Sequence, residues 1–166
     1  MFRTKQNSRF ISFLIWYLPV VCVQFFSGKI TVTSIHPWYD NLCKGSWTPP
    51  NWIFGPIWTI LYLMMALAIS MVYRLNAKGV QYRLAYFLFF LQLFINGLWS
   101  YVFFGLHMIG WALIDLGFLI LLITIMIVWF FRICRSASLL LFPYLLWVIY
   151  AFSLNLGVWW FNPTLR

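Results

Sequence analysis

Five long apolar stretches leave this 166-residue chain few alternatives for its fold. The hydrocarbon core of a bilayer is about 30 Å thick, so a helix that crosses it needs about 20 mostly apolar residues. Each stretch is close to that length. We therefore predict an all-α integral membrane bundle of five transmembrane helices, over residues 10–26, 52–73, 84–104, 109–131 and 139–161.

The composition excludes a water-soluble domain. Hydrophobic residues make up 64% of the chain and charged residues 8%, whereas a soluble globule carries about 25% charged residues. The net charge of +9 could indicate a nucleic-acid partner, but the basic residues are dispersed in short connections, as membrane topology signals are. The expected partner is the lipid bilayer and no nucleic acid, with residues 1–166 forming a single transmembrane domain.

Cysteine and histidine usage predicts no metal and no cofactor. The chain has three cysteines and two histidines, without a C-x-x-C pair or a metal-ligand spacing. An odd number of cysteines also gives no disulfide framework.

The first stretch is the shortest, and it follows three basic residues, as the apolar part of a cleaved signal peptide would. The bulky sequence FFSGKI at its end lacks small residues at the cleavage spacing. We therefore expect a retained helix.

The distribution of basic residues predicts the direction of the bundle. Cytoplasmic connections of membrane proteins carry an excess of Lys and Arg. One side holds eight of them, namely Arg3, Lys5, Arg9, Arg74, Lys78, Arg83, Arg132 and Arg135. The other side holds Lys29, Lys44 and Arg166. We expect a cytoplasmic N-terminus, an external C-terminus, a long external loop over 27–51, and sequential helices packed as antiparallel neighbours.

Most aromatic residues near the span ends are typical of interfacial belts, but three tryptophans lie deeper. Trp58, Trp99 and Trp147 fall several residues inside their spans. An indole N–H in hydrocarbon needs a partner, so these rings are expected to face the bundle interior. Residues four apart share a helix face, which places Tyr62 with Trp58 and Ala151 with Trp147.

Asp115 is the only acid inside a span. A charge there costs several kcal/mol by order of magnitude unless it is paired or hydrated. Two alternatives stay open: hydration near the outer end or a hydrogen bond from Asn96 or an indole, and a role facing a ligand. Trp58, Asn96 and Asp115 fall in the outer half, which predicts an aromatic-lined cavity beneath the first loop.

One segment and several shorter blocks carry a family resemblance. Residues 47–62 read WTPPNWIFGPIWTILY, preceded by the pair Trp38 and Tyr39. Further blocks follow in register at 92–104, GWALID at 110–115, PYLLW at 143–147, and 151–155. From Trp38 onward the chain resembles the TspO/MBR family, the tryptophan-rich sensory proteins whose animal members are the mitochondrial translocator protein, or peripheral-type benzodiazepine receptor.

The resemblance implies a ligand site inside the bundle, closed by the first loop. The family's ligands are porphyrins, cholesterol-like lipids and benzodiazepine-type drugs. Matched by position, the site residues would be Trp38, Tyr39, Trp58, Tyr62, Asn96, Trp99, Asp115, Trp147, Ala151 and Leu154. The lid would be Trp47, Pro49 and Pro50, where paired prolines stiffen the chain. First-helix candidates are Val21, Cys22 and Gln24, and His36 is a candidate for a porphyrin propionate or iron.

Tyr150 is followed by no basic residue before Arg166, so the animal cholesterol motif is missing, and such motifs are weak evidence even when present.

The first hypothesis is a receptor or sensor for porphyrins or similar large apolar ligands, assisting their transport or control, with a homodimer implied by the resemblance. The alternative is an enzyme that degrades protoporphyrin with light and oxygen, using Trp58 and Trp147. The chain offers no general base pair or nucleophile for an enzyme. A coupled transporter is the third hypothesis, and it ranks last because the chain has only two acids.

Overall fold

The computed structural model describes the backbone of residues 2–75 and 78–165, and the side chains of 10–75 and 78–164. The described residues form helices and connecting turns, without strands. The helices are α1 Phe2–Ser34, α2 Phe54–Tyr73, α3 Val80–Ser100, α4 Ile109–Ile133, α5 Arg135–Leu139 and α6 Phe142–Phe161. Short α5 and long α6 together make the fifth span. Five segments are long and apolar enough to cross a bilayer, which confirms the five-span bundle.

Helix α1 is longer than the sequence pattern predicted. The expected end near residue 26 is wrong, since the helix continues to Ser34 and is followed by a π-helical turn over Ile35–Tyr39. Thr31 donates its hydroxyl to the Ser27 carbonyl at 2.9 Å, and Thr33 donates to the Ile30 carbonyl at 2.8 Å. Such bonds let hydroxyl side chains remain within a helix. The first loop is therefore much shorter than predicted, and Lys29 lies on the helix.

The other spans agree with the prediction within a few residues. Helix α3 begins earlier than expected and passes into a π-helical turn over Tyr101–Gly105. Cys134 adopts an extended conformation that separates α4 from α5. Pro143 lies in the first turn of α6, where a missing N–H is tolerated.

The order of helices around the bundle differs from the predicted chain of sequential neighbours. Helix α1 packs between α2 and α3, and α4 packs between α3 and α6. Helices α2 and α3 are in contact only slightly although their connection is short, because α1 lies between them along most of their length. A short connection requires two helix ends to be close, but not two whole helices. Sequential packing holds for α1 with α2, α3 with α4, and α4 with α6.

Buried apolar side chains fill the bundle centre away from the first loop. Fully buried members include Met65, Ile69, Phe89, Ile123 and Met126. A wide range of exposed apolar side chains surrounds this core, as a surface in contact with lipid requires. The end of the bundle nearest the first loop is less densely filled, and the cavity lies there.

Candidate ligand-binding cavity

A cavity of about 430 Å³ lies between α1, α2, α3 and α6, beneath the loop that joins α1 to α2. Its size falls in the range typical of small-molecule sites, about 300–1,000 Å³. Helix α1 contributes Gln24, Ser27, Gly28, Thr31, Val32, Ile35 and the following Tyr39. The start of α2 contributes Asn51, Trp52, Phe54, Gly55, Trp58, Thr59 and Tyr62. The ends of α3 and α6 contribute Asn96, Trp99, Ser100, Phe103, Phe104, Ala151, Leu154, Asn155 and Val158.

Most of the sequence-predicted site residues meet in this wall. They are Tyr39, Trp58, Tyr62, Asn96, Trp99, Ala151 and Leu154, together with Gln24 among the first-helix candidates. The Trp58 and Tyr62 ring centroids lie 5.4 Å apart, as expected for one helix face. Trp99 stacks on Phe103 with centroids 5.4 Å apart. Flat aromatic surfaces therefore border the cavity on two sides.

A buried hydrogen-bonded network forms the floor. The Tyr62 hydroxyl donates to Asn96 Oδ1 at 2.6 Å, and Asn96 Nδ2 donates to the Tyr144 hydroxyl at 3.1 Å. Tyr144 in turn donates to Gln92 Oε1 at 2.9 Å. All four side chains are at most 4% exposed. This network, here called the floor network, joins α2, α3 and α6 and fixes the orientation of the polar groups that face the cavity.

Three predicted site residues do not border the cavity. Trp38 stacks on His107 with centroids 4.0 Å apart and lies behind Phe103. Trp147 packs toward Phe54 and Tyr150, with ring centroids at 6.0 and 5.4 Å. It therefore fills the space between α2 and α6, outside the cavity wall.

Asp115 is the third predicted site residue that does not border the cavity. Its Oδ2 is buried and has no hydrogen-bond partner among the described residues. The expected bond from Asn96 is not formed, since the Asn96 amide donates to Tyr144. Asp115 therefore neither lines the cavity nor accepts a hydrogen bond from Asn96.

The predicted lid residues Trp47, Pro49 and Pro50 lie beside the cavity and do not line it. The Trp47 indole covers Gly45 and Gly157, where an added Cβ would lie 2.6 Å and 3.1 Å from its ring atoms. The Trp47 carbonyl accepts a hydrogen bond from the Tyr150 hydroxyl at 2.7 Å. Trp47 thus anchors the loop to α6. The residues of this segment that border the cavity are Asn51, Trp52 and Phe54.

A second anchor was not expected from the sequence. Asn162, just after α6, accepts from the Cys43 N–H at 3.0 Å and donates to the Cys43 carbonyl at 2.9 Å. Asn51 also donates to Asp40 Oδ1 at 3.0 Å across the loop. His36 forms an ion pair with Asp40 and is 78% exposed, so its side chain is directed away from the cavity.

The part of α1 beyond Gln24, which was itself a predicted candidate, was the largest omission. Gln24, Ser27 and Thr31 all line the cavity, and they recur at a spacing of three and four residues. That spacing identifies one helix face, so the signal was present once the helix was known to continue. Val21 and Cys22, the other first-helix candidates, lie outside the cavity wall.

The fold and the site together define a multi-pass integral membrane protein with an aromatic cavity inside its bundle. Comparison with known proteins agrees. The TspO/MBR family pattern matches residues 15–161. The chain belongs to the TspO/MBR family.

Several relatives are similar over most of their length. The tryptophan-rich protein TspO of Chlorobaculum tepidum is 37% identical over 143 residues, covering 86% of this chain and 90% of that protein. The human translocator protein is 35% identical, covering 74% and 73%. The tryptophan-rich sensory protein of Cereibacter sphaeroides is 39% identical, covering 71% and 72%.

Proposed function

We propose that this protein is a membrane receptor or sensor that binds porphyrins or similar large, flat, apolar ligands in the cavity beneath the first loop. The observation that carries the proposal is the cavity wall itself. Trp58, Tyr62 and Trp99 supply aromatic surface, while Asn96 and Asn155 supply a few polar atoms. A mostly apolar cavity with a small number of placed polar groups is typical of small-molecule sites.

The charge of the wall defines how a porphyrin would be oriented. Among the described residues that line the cavity, none is charged. A buried carboxylate without a partner is strongly unfavourable, so the acidic substituents of a porphyrin would be directed toward the loop end of the cavity. Lys44 lies above the Tyr39 ring, with its Nζ 4.5 Å from the centroid, and supplies a positive charge next to a residue of the cavity wall. We expect the dimethyl ester of protoporphyrin to bind about as well as the diacid.

The test is a titration of purified protein with protoporphyrin, followed by quenching of tryptophan fluorescence. Trp58 borders the cavity and Trp147 does not, so the same substitution at both positions gives a matched pair. An aromatic contact contributes about 0.5–1.5 kcal/mol beyond burial. Trp58→Phe should therefore weaken binding by roughly two- to tenfold, and Trp147→Phe should weaken it less. Equal affinities for the wild type and Trp58→Phe would place the ligand elsewhere.

One observation favours testing the enzymatic alternative in the same experiment. Trp58 is an oxidisable indole in the cavity wall, next to the place where a porphyrin would lie. If the protein degrades protoporphyrin with light and dioxygen, Trp58→Phe should nearly abolish the loss of porphyrin absorbance at matched occupancy. If the protein only binds, the loss should follow occupancy alone. Trp147→Phe is the control, because that ring lies outside the wall.

A further inference from the structure

The open side of the cavity faces sideways between two helices. Of the residues that line it, the exposed ones are Gly28, Val32, Trp52, Gly55 and Thr59. All five belong to α1 or to the segment that starts α2. The lining residues from α3 and α6 are buried or only partly exposed. The cavity therefore reaches the protein surface through a gap between α1 and α2.

This gap lies at a depth where lipid chains surround the protein. Thr59 is five residues into α2 and Gly28 is six residues before the end of α1. At 1.5 Å per residue, both lie about 8–9 Å from the nearer helix end. The side chains around the gap are apolar and face outward, with Phe25 65% exposed and Ile60 57% exposed.

Small residues keep the gap open. A Cβ built on Gly28 or Gly55 would meet no atom within 4 Å, so neither glycine is required for close helix packing. Below them, Gln24 Nε2 donates to Thr59 Oγ1 at 3.0 Å. This side-chain hydrogen bond joins α1 to α2 between two residues that line the cavity beside the gap.

The α1 span also has the smallest buried fraction of the five spans. In the most apolar window of its span 22% of residues are buried, against 39–44% in the other four. A shallow groove on the outer surface of α1, formed by Val21, Phe25, Lys29 and Thr33, adjoins the gap. It shares Gln24, Gly28 and Val32 with the cavity wall. A continuous path thus leads from the outer surface of α1 into the cavity, and Lys29 in the outer groove is the one charged residue among the described residues that line it.

We propose that the cavity receives its ligand laterally from the bilayer, through the gap between α1 and α2, and that the Gln24–Thr59 hydrogen bond restrains this gate. The ligand class is a molecule dissolved in lipid whose inserted part is uncharged, because the described residues along the path inside the gap carry no charge. The inference rests on the proposed binding function and adds the route and the phase from which the ligand comes.

The test locks the gate and measures kinetics. Cys22, Cys43 and Cys134 are free and are first replaced by Ser. Gln24→Cys and Thr59→Cys are then introduced and joined by a short, reductively cleavable thiol cross-linker in protein reconstituted into nanodiscs. Protoporphyrin uptake and release are followed by tryptophan fluorescence. We expect the cross-link to slow both rates by at least about tenfold and reduction to restore them, with little change in Kd at equilibrium.

Two controls separate the possible failures. The single variant Gln24→Cys, treated with the same reagent, loses the hydrogen bond without gaining a bridge, so its uptake and release should be at least as fast as those of the cysteine-free parent. Gly28→Leu should also slow uptake and release, whereas Thr124→Leu, on the exposed surface of α4, should not. Unchanged rates in both the locked protein and Gly28→Leu would overturn the lateral gate. Absence of binding to the uncross-linked parent protein would instead refute the proposed binding function.

Discussion

Replacing Tyr144 by Phe removes a single oxygen from the floor network, and the structure sets the size of the expected loss. That hydroxyl accepts from Asn96 Nδ2 and donates to Gln92 Oε1. The Tyr62 hydroxyl donates to Asn96 Oδ1. A net intramolecular hydrogen bond contributes about 0.5–1.5 kcal/mol, and bonds between membrane helices average about 0.6 kcal/mol.

Tyr144→Phe should therefore lower the free energy of unfolding by about 1–3 kcal/mol, because it breaks two bonds at a fully buried position. Tyr62→Phe should cost about half as much. Both substitutions deprive Asn96 of a partner, so the double variant should lose less than the sum of the single losses. The aromatic ring is retained in each variant, which keeps packing changes small.

The measurement is unfolding in mixed detergent micelles, followed by helical circular dichroism as the denaturing detergent fraction rises. Tyr101→Phe is the matched control, since Tyr101 is 48% exposed and surface substitutions usually stay within about 0.5 kcal/mol. If Tyr144→Phe costs no more than Tyr101→Phe, the network does not hold the three helices together. Exact additivity of the two tyrosine substitutions would show that they do not act through Asn96.

Three further outcomes are expected. Pro49→Ala combined with Pro50→Ala should speed ligand release without unfolding the protein. The prolines keep the loop ordered before the ligand binds, and without them closing the loop over the ligand would cost more conformational entropy; an unchanged release rate would refute the lid. Asn162→Ala removes both bonds to the first loop and should lower the free energy of unfolding by about 1 kcal/mol, measured by the same detergent titration. A reporter fused after Arg166, which lies outside the described residues, should appear outside the cytoplasm, and one inserted in the 74–83 connection inside; a cytoplasmic C-terminal reporter would contradict the proposed direction.

The number and positions of the spans could be predicted because bilayer thickness imposes one length on every crossing helix. The helix ends could not be predicted, because they depend on which polar side chains form hydrogen bonds with backbone groups. Ser27, Thr31 and Thr33 looked like the start of a loop, yet two of these hydroxyls donate to carbonyls of their own helix. The position of α1 between α2 and α3 also follows from side-chain packing, which connection length does not determine.

The site was predictable where helix spacing alone decides which side chains meet. Trp58 with Tyr62 is such a case, and so is Ala151 in the wall. Trp147 is four residues before Ala151 and was expected in the same wall. A long side chain on a helix extends toward the preceding turn, and the Trp147 ring packs between Phe54 and Tyr150 instead. Sequence spacing predicts which face of the helix a residue lies on. The direction of a ring as large as indole also depends on the space that the neighbouring side chains leave.

The residues that concealed the end of α1 in the sequence also form the open side of the cavity. A transmembrane helix built only of Leu, Ile and Phe would have been easy to delimit, and it would have packed tightly against α2. Ser27, Gly28 and Thr31 interrupt that pattern, and they leave space and hydrogen-bonding capacity on the face that borders the cavity. A helix that admits a ligand from the bilayer, as we propose for α1, needs small and polar residues on this face, and in the sequence the same residues obscured where the helix ends.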